Sequence, residues 1–153
     1  MKREDLQPVR SHKIRGAYNK TSSLSDEELS NGIGCASAGN HAQSVAMSCK
    51  LLKMRGTIYM PTPTSIQQFK IFGGCYVTIV MHGDTYDDAY YAAIEENTSV
   101  GKVFIHPFDD EKVIEGQSTV GLEIVAQSYV PVDYVIMPVG DGGLSAGVSS
   151  VLK

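Results

Sequence analysis

Short apolar runs and longer periodic stretches alternate along the 153 residues of this chain. The apolar runs predict five β-strands, at 33–36, 57–60, 76–80, 103–106 and 134–139. The stretches between them predict helices at 40–55, 65–72, 86–96 and 113–127, and the last residues read as the first turns of another helix. Strands that alternate with helices of this length predict βαβ crossovers, and hence an α/β fold with an open parallel sheet and helices on both faces.

The predicted helix 40–55 has the clearest periodic pattern. Ala42, Val45 and Cys49 recur on one helical face, and lysines lie near its end. Gly56 follows these lysines and is the expected C-terminal stop of the helix.

Composition and charge exclude several classes of protein. The chain is 42% hydrophobic and 20% charged, which is ordinary for a soluble domain, and its net charge of −4 offers no basic surface for nucleic acid or an anionic membrane. No apolar run is long enough to span a membrane, and the charged first residues are unlike a signal peptide. The three cysteines lack CxxC spacing, which disfavours a disulfide framework or a zinc site. We therefore expect a cytoplasmic protein without a metal site.

Candidate chemistry begins with Lys13, in the stretch RSHKIRGA at the start of a predicted helix. By itself this residue is either a solvated surface lysine or an amine that reaches a ligand. In open α/β sheets, ligands bind beyond the carboxyl ends of the strands, where helix N-termini offer free N–H groups. The loop SAGNH, residues 37–41, has that position after strand 33–36. It is either an anion-binding loop or a plain N-cap turn, since Ser and Asn favour both.

A second loop, GDGGL at 140–144, follows the predicted strand 134–139. Glycines at a strand-to-helix turn are typical of a phosphate-binding loop, although a tight turn with positive φ also requires them. A dinucleotide-binding signature is a weaker interpretation, because Ser145 occupies its third glycine position. Asp141 is unfavourable beside a phosphate, since like charges repel.

Taken together and in this order, the segments resemble the serine/threonine dehydratase family of fold-type-II pyridoxal-phosphate enzymes. The resemblance covers nearly the whole chain and rests on KREDLQPVRSHKIRGAYNK, CASAGNHAQSVAMSCKLLK, GTIYMPTPT, HPFDDEKVIEGQSTVGLEI and VDYVIMPVGDGGLSAG. It implies the small domain of that fold at 31–127, with parts of the large domain at 1–30 and 128–153.

The resemblance also implies roles for individual residues. Lys13 matches the lysine that forms a Schiff base with pyridoxal 5'-phosphate, and Asn40 matches the residue that hydrogen-bonds the phenolic oxygen of the cofactor. The residues that match the loop around the substrate carboxylate are Ser37, Ala38, Gly39, Asn40 and His41; those that match the phosphate loop are Gly140, Gly142, Gly143 and Leu144. For His41 a purely structural role is an equal alternative.

The implied reaction is β-elimination of L-threonine or L-serine to a 2-oxo acid and ammonia. Racemase-type members resembling this sequence carry a second serine at position 38, and Ala38 has no proton to give, which favours elimination over racemisation. Two residues depart from the family pattern: His12 replaces an aromatic residue beside the cofactor ring, and Asp141 replaces a glycine of the phosphate loop.

The family's catalytic domain is about twice as long as this chain, about two conventional domain lengths. The resemblance therefore indicates a truncated member, and a catalytically inactive chain is the alternative function. Apart from the small amino-acid substrate, we expect a homo-oligomer or self-association, because uncovered apolar elements bind one another.

Overall fold

The computed structural model describes residues 1–64 and 76–153. A 3₁₀ turn at Glu4–Leu6 precedes six helices in the described part: α1 Lys13–Ser22, α2 Asp26–Asn31, α3 Asn40–Leu52, α4 Tyr86–Ser99, α5 Glu111–Gln127 and α6 Gly143–Val151. The four strands are β1 Ile33–Ala36, β2 Gly56–Met60, β3 Val77–Met81 and β4 Val103–Phe104.

The strands form one parallel sheet in the order β3-β2-β1-β4. Ile33 of β1 lies opposite Gly56 of β2 on one side and Val103 of β4 on the other. In β3, Val77 lies opposite Gly56. The predicted parallel sheet is confirmed, and all four strands end at the same edge because they run in the same direction.

Helices cover both faces of the sheet, as predicted. On one face, Ile33, Cys35 and Ile58 pack with Val45 of α3 and with Ala17 of α1. On the other face, the core cluster is Ala36, Tyr59, Ala89 and Ala93, of which the last two belong to α4. Successive residues of β1 and β2 alternate between these two clusters, which is the period-2 pattern of a strand.

Helices α1, α5 and α6 form a layer beside α3, with α1 packed on both α3 and α5 and α6 packed on α5. Gly16 and Gly116 lie where α1 crosses α5, and a Cβ added to Gly116 would come within 2.6 Å of the Gly16 Cα atom. The close crossing fixes the first residue of α1, Lys13, relative to the sheet.

The prediction of a strand at 134–139 is wrong. These residues form no strand, and Tyr134, Ile136 and Val139 are largely exposed to solvent. A strand exists only where a neighbouring strand pairs its N–H and C=O groups. Within residues 1–64 and 76–153 no strand pairs with this segment.

Other element boundaries also differ from the predictions. The ladder of β4 stops at Phe104 rather than 106, although the N–H of Ile105 still donates to the Gly34 carbonyl at 2.8 Å. Gly56 is not the stop of α3: Lys53 ends that helix in the left-handed region at φ 53°, and Gly56 begins β2. A Cβ at Gly56 would come within 2.6 Å of the Cys49 sulfur, so close packing explains this glycine. The predicted helix 65–72 lies outside the described residues.

Among the described residues, no helix is both long and apolar enough to cross a membrane.

Candidate active site

Lys13 is the first residue of α1 and lies beyond the carboxyl ends of the strands. Its Nζ atom donates to the carbonyl oxygen of Pro107 at 2.7 Å, and it lies 5.9 Å from the centroid of the Phe108 ring. The backbone N–H of Lys13 donates to Ser11 Oγ at 3.2 Å. Burial lowers the pKa of Lys13, while the negative charge of Asp141 acts in the opposite direction. This lysine is therefore not a freely solvated surface residue.

The loop at 37–41 connects β1 to α3 and lies beside Lys13. Gly39 is the N-cap of α3, and its N–H donates to Ser37 Oγ at 3.1 Å. The first intrahelical bond runs from the N–H of Gln43 to the Gly39 carbonyl, so the N–H groups of residues 40–42 have no acceptor within the helix. Such N–H groups attract anions.

A cleft of about 280 Å³ joins this loop to the lysine. We call it the α3 cleft, and its lining residues are Lys13, Ala36, Ser37, Asn40, His41, Tyr86, Pro107, Phe108 and Asp141. Ala38 and Gly39, the other two predicted residues of the loop, are absent from this set of described lining residues. Of the five, Ser37, Asn40 and His41 therefore share the cleft with Lys13.

The glycine loop forms a second cleft, of about 140 Å³, which Lys13 also lines. This glycine-loop cleft is lined by His12, Lys13, Phe108 and residues 138–145, which include all four predicted residues Gly140, Gly142, Gly143 and Leu144. Gly142 is the N-cap of α6 with φ 93°, a backbone conformation that residues other than glycine rarely adopt. A Cβ at Gly143 would come within 3.0 Å of the Phe108 carbonyl oxygen.

The side chain of His41 is turned into the protein. It is only 4% exposed, and its Nε2 atom donates to the Ile105 carbonyl at 2.9 Å, which links α3 to the end of β4. Burial lowers the pKa of His41 to about 4, so the ring is neutral at pH 7. The buried Nδ1 atom has no hydrogen-bond partner among the described residues.

His12 lies next to Lys13 and lines the glycine-loop cleft. Burial, and then the positive charge of Lys13, lower the pKa of His12 and favour its neutral form. A neutral imidazole at this position adds no positive charge beside the lysine.

Five residues that line the α3 cleft were not among the predicted site residues: Ala36, Tyr86, Pro107, Phe108 and Asp141. Pro107 and Phe108 could have been found, because they directly follow the predicted strand 103–106 and therefore lie at the edge where ligands bind. Phe108 also packs edge-to-face on His106, with ring centroids 4.6 Å apart. Tyr86 begins α4 and carried no such signal.

The residues present fit pyridoxal phosphate. Lys13 supplies a half-buried amine, which can react with an aldehyde. The glycine loop at the start of α6 leaves room for an anion, since a Cβ added to Gly140 or Gly142 would meet nothing within 4 Å. On the other side of Lys13, Ser37 and Asn40 line the α3 cleft with polar side chains. In the part of the chain that the structure describes, no group of three His, Cys, Asp or Glu residues could hold a metal ion.

Comparison with known proteins agrees with this geometry. A family model described as pyridoxal-phosphate dependent enzyme matches residues 1–153. The chain is 49% identical to the biosynthetic L-threonine dehydratase of Halalkalibacterium halodurans and 47% identical to that of Bacillus subtilis. Each alignment covers 100% of this chain but only 38% and 37% of the relative.

Solved structures agree in fold. The processed form of threonine deaminase isoform 2 from Solanum lycopersicum superposes with a TM-score of 0.93 at 45% identity, over 97% of this chain and 41% of that one. Maize serine racemase gives a TM-score of 0.91 at 32% identity, over 97% and 45%. The resemblance found in the sequence and the partial-domain α/β architecture are thereby confirmed. The chain belongs to the family of pyridoxal-phosphate dependent enzymes.

Proposed function

We propose that this chain serves the β-elimination of L-threonine or L-serine to a 2-oxo acid and ammonia, with pyridoxal phosphate as cofactor. One observation carries the proposal: Lys13 lines both the α3 cleft and the glycine-loop cleft. An amine that reaches two anion-binding loops at one sheet edge suits a cofactor with an aldehyde and a phosphate, and a substrate with a carboxylate. The threonine dehydratases at 49% and 47% identity support the choice of substrate.

Six residues would hold the cofactor, and their positions suit different parts of it. Lys13 would bind it covalently, and Gly140, Gly142, Gly143 and Leu144 would hold its phosphate at the start of α6. Asn40, exposed in the α3 cleft, would bind the ring hydroxyl. When bound, this cofactor supplies an electron sink that stabilises negative charge at the substrate's α-carbon.

Lys13 is also our candidate for the base that removes the α-proton. Only the neutral amine can accept a proton, and burial favours that form by lowering the pKa of Lys13. The Pro107 carbonyl holds Nζ at 2.7 Å and so restricts where the amine can lie.

The start of α3 would bind the substrate carboxylate. Its unpaired first-turn N–H groups favour an anion, and the side chains of Ser37 and Asn40 line the same cleft. A fixed carboxylate orients the α-C–H bond relative to Lys13. Ala38 offers no hydroxyl for reprotonation, which is why we propose elimination rather than racemisation.

The test is an absorbance titration with pyridoxal phosphate, followed by borohydride reduction and mass spectrometry. We expect one reduced adduct, on Lys13, and its loss in Lys13→Ala. Lys50→Ala is the matched control, since Lys50 is exposed on α3 away from both clefts. Labelling scattered over surface lysines would contradict the proposal.

A second candidate function is cofactor binding without turnover. It is favoured by one finding: the chain spans about 38% of the length of the threonine dehydratases it matches. Release of ammonia and of 2-oxobutanoate from threonine, or of pyruvate from serine, decides between the two. An adduct on Lys13 without either product would support the second candidate.

For the organisation of the fold, we propose the division stated from the sequence: a small domain at 31–127, with 1–30 and 128–153 belonging to a larger domain. The exposure of the apolar side chains at 129–139 supports this division, because such a segment is ordinarily covered. In a solution of this chain alone, we propose that a second copy of the chain covers this segment.

A further inference from the structure

The side chain of Asp141 places a carboxylate beside the candidate phosphate site. It lies between Gly140 and the α6 N-cap Gly142, and it lines both the glycine-loop cleft and the α3 cleft. Lys13 and Phe108 also line both clefts. The carboxylate therefore faces the same space as the lysine.

The field of Asp141 reaches several groups around this space. Its negative charge acts on the pKa of Lys13, of Tyr86 and of His106. These three residues come from α1, α4 and the segment after β4, and Asp141 lines both clefts between them while remaining exposed to solvent. A carboxylate there attracts the ammonium of Lys13 and repels any anion at the start of α6.

The helix and Asp141 act in opposite directions on a phosphate. The N-terminus of α6 favours an anion through its first-turn N–H groups, and the glycines leave space for it. Asp141 already supplies one negative charge at that helix end. A phosphate bound in the loop must therefore share the site with a like charge, which weakens its binding.

We propose that Asp141 lowers the affinity of this chain for the phosphate group of its cofactor. This inference rests on the proposed function, because it takes the glycine loop as the phosphate site. Asp141 acts on the phosphate through charge and is not a catalytic residue.

The experiment compares Asp141→Asn, which removes the charge at nearly constant shape, with Asp141→Gly, which removes the side chain. Asp133→Asn is the charge-matched control, since Asp133 is exposed and lines neither cleft among the described residues. Dissociation constants are measured by absorbance for pyridoxal phosphate and for pyridoxal, which has the aldehyde but no phosphate. Inorganic phosphate is tested separately through the thermal unfolding midpoint.

We expect both Asp141 variants to bind pyridoxal phosphate about tenfold more tightly than the wild type at low ionic strength, which is close to the repulsion between two unit charges about 4 Å apart in water. Pyridoxal affinity and the Asp133→Asn control should change less than about twofold. The gain should shrink as added sodium chloride shortens the Debye length to about 3 Å near 1 M. Inorganic phosphate should raise the unfolding midpoint of Asp141→Asn more than that of the wild type.

Three results would overturn the inference. The first is an unchanged or weaker affinity of Asp141→Asn for pyridoxal phosphate. The second is an equal gain for pyridoxal, which would mean that Asp141 acts through Lys13 instead of the phosphate. The third is an equal response of both proteins to inorganic phosphate. If no protein reacts with either aldehyde, the proposed function fails, and the inorganic-phosphate measurement still decides whether Asp141 opposes an anion.

Discussion

His41 illustrates how a residue in a ligand-binding loop can have a structural task. Its Nε2 atom holds the Ile105 carbonyl at 2.9 Å, and so it ties the start of α3 to the end of β4. The neutral ring makes this bond inside the protein, where a charged imidazolium would lose its hydration. Of the two roles considered for His41, the observed contact supports the structural one, while its backbone N–H has no acceptor within α3.

The burial of His41 predicts a pH dependence of stability. Its pKa is about 4 in the folded chain, below the value of about 6.5 in the unfolded chain, so protons bind the unfolded chain preferentially. The contribution is complete above pH 6.5 and is lost as the pH falls toward 4. We expect the free energy of unfolding to decrease by about 2 kcal/mol between pH 7 and pH 5 from this residue alone.

Chemical unfolding of the wild type and of His41→Asn at both pH values measures this contribution. Asparagine can still donate to the Ile105 carbonyl but does not titrate, so most of the decrease should disappear in the variant. The exposed His82 provides the control, because His82→Asn should leave the decrease unchanged. An identical pH dependence in His41→Asn would refute the assignment.

At the scale of elements, the crossing of α1 over α5 determines where Lys13 lies. Gly116 packs against the α1 backbone so closely that a Cβ would come within 2.6 Å of Gly16 Cα. Arg15, on the same turn of α1, bridges Glu4 at 2.7 Å and Glu123 of α5 at 2.7 Å, and Lys2 also pairs with Glu123. Helix α1 is thus held by close packing and by an ion-pair network.

Gly116→Ala should therefore destabilise the chain although alanine is the better helix former. The gain in helix propensity is about 1 kcal/mol, and overpacking against backbone that cannot move aside costs about 1–3 kcal/mol or more. We expect a net loss of about 1–2 kcal/mol by urea unfolding, together with weaker labelling of Lys13 by pyridoxal phosphate. Gly121→Ala, whose Cβ would lie 3.2 Å from Val148 O, should lose less. Equal losses in the two variants would argue against a rigid α1–α5 crossing.

At the scale of the whole molecule, the chain carries an uncovered apolar segment at 129–139. Tyr129, Tyr134 and Ile136 are at least 90% exposed, and no strand in the described part of the chain pairs with them. A contiguous apolar surface of this kind favours association with another surface. The single exposed Leu51 on α3 has no such neighbours in sequence.

We expect light scattering to give a mass above that of the 16.5 kDa monomer at micromolar concentration. Ile136→Lys should shift the distribution toward the monomer, because a charge in the contact must be desolvated. Leu51→Lys makes the same chemical change on another surface and should leave the distribution unaltered. A monodisperse wild-type monomer would contradict the proposed self-association.

The sequence by itself determined the elements that local pattern encodes. The first three strands and helices α3, α4 and α5 lie within a few residues of their predicted positions, because apolar periodicity and capping residues act over neighbouring positions. Lys13, Asn40 and the glycine loop were predicted as site residues from the sequence, since motif residues keep their order along the chain. Which of them share a cleft was not readable from that order.

Tertiary structure decided whatever depends on distant partners. The apolar segment 134–139 has the composition of a strand, but a ladder needs a second strand, which its own sequence cannot supply. Lys13 acquires its surroundings from Pro107 and Asp141, which lie 94 and 128 residues away along the chain. The pKa of Lys13 is lowered by burial, against the opposing effect of Asp141, and His41 turns inward to the Ile105 carbonyl. Both depend on residues that come together only when the chain has folded.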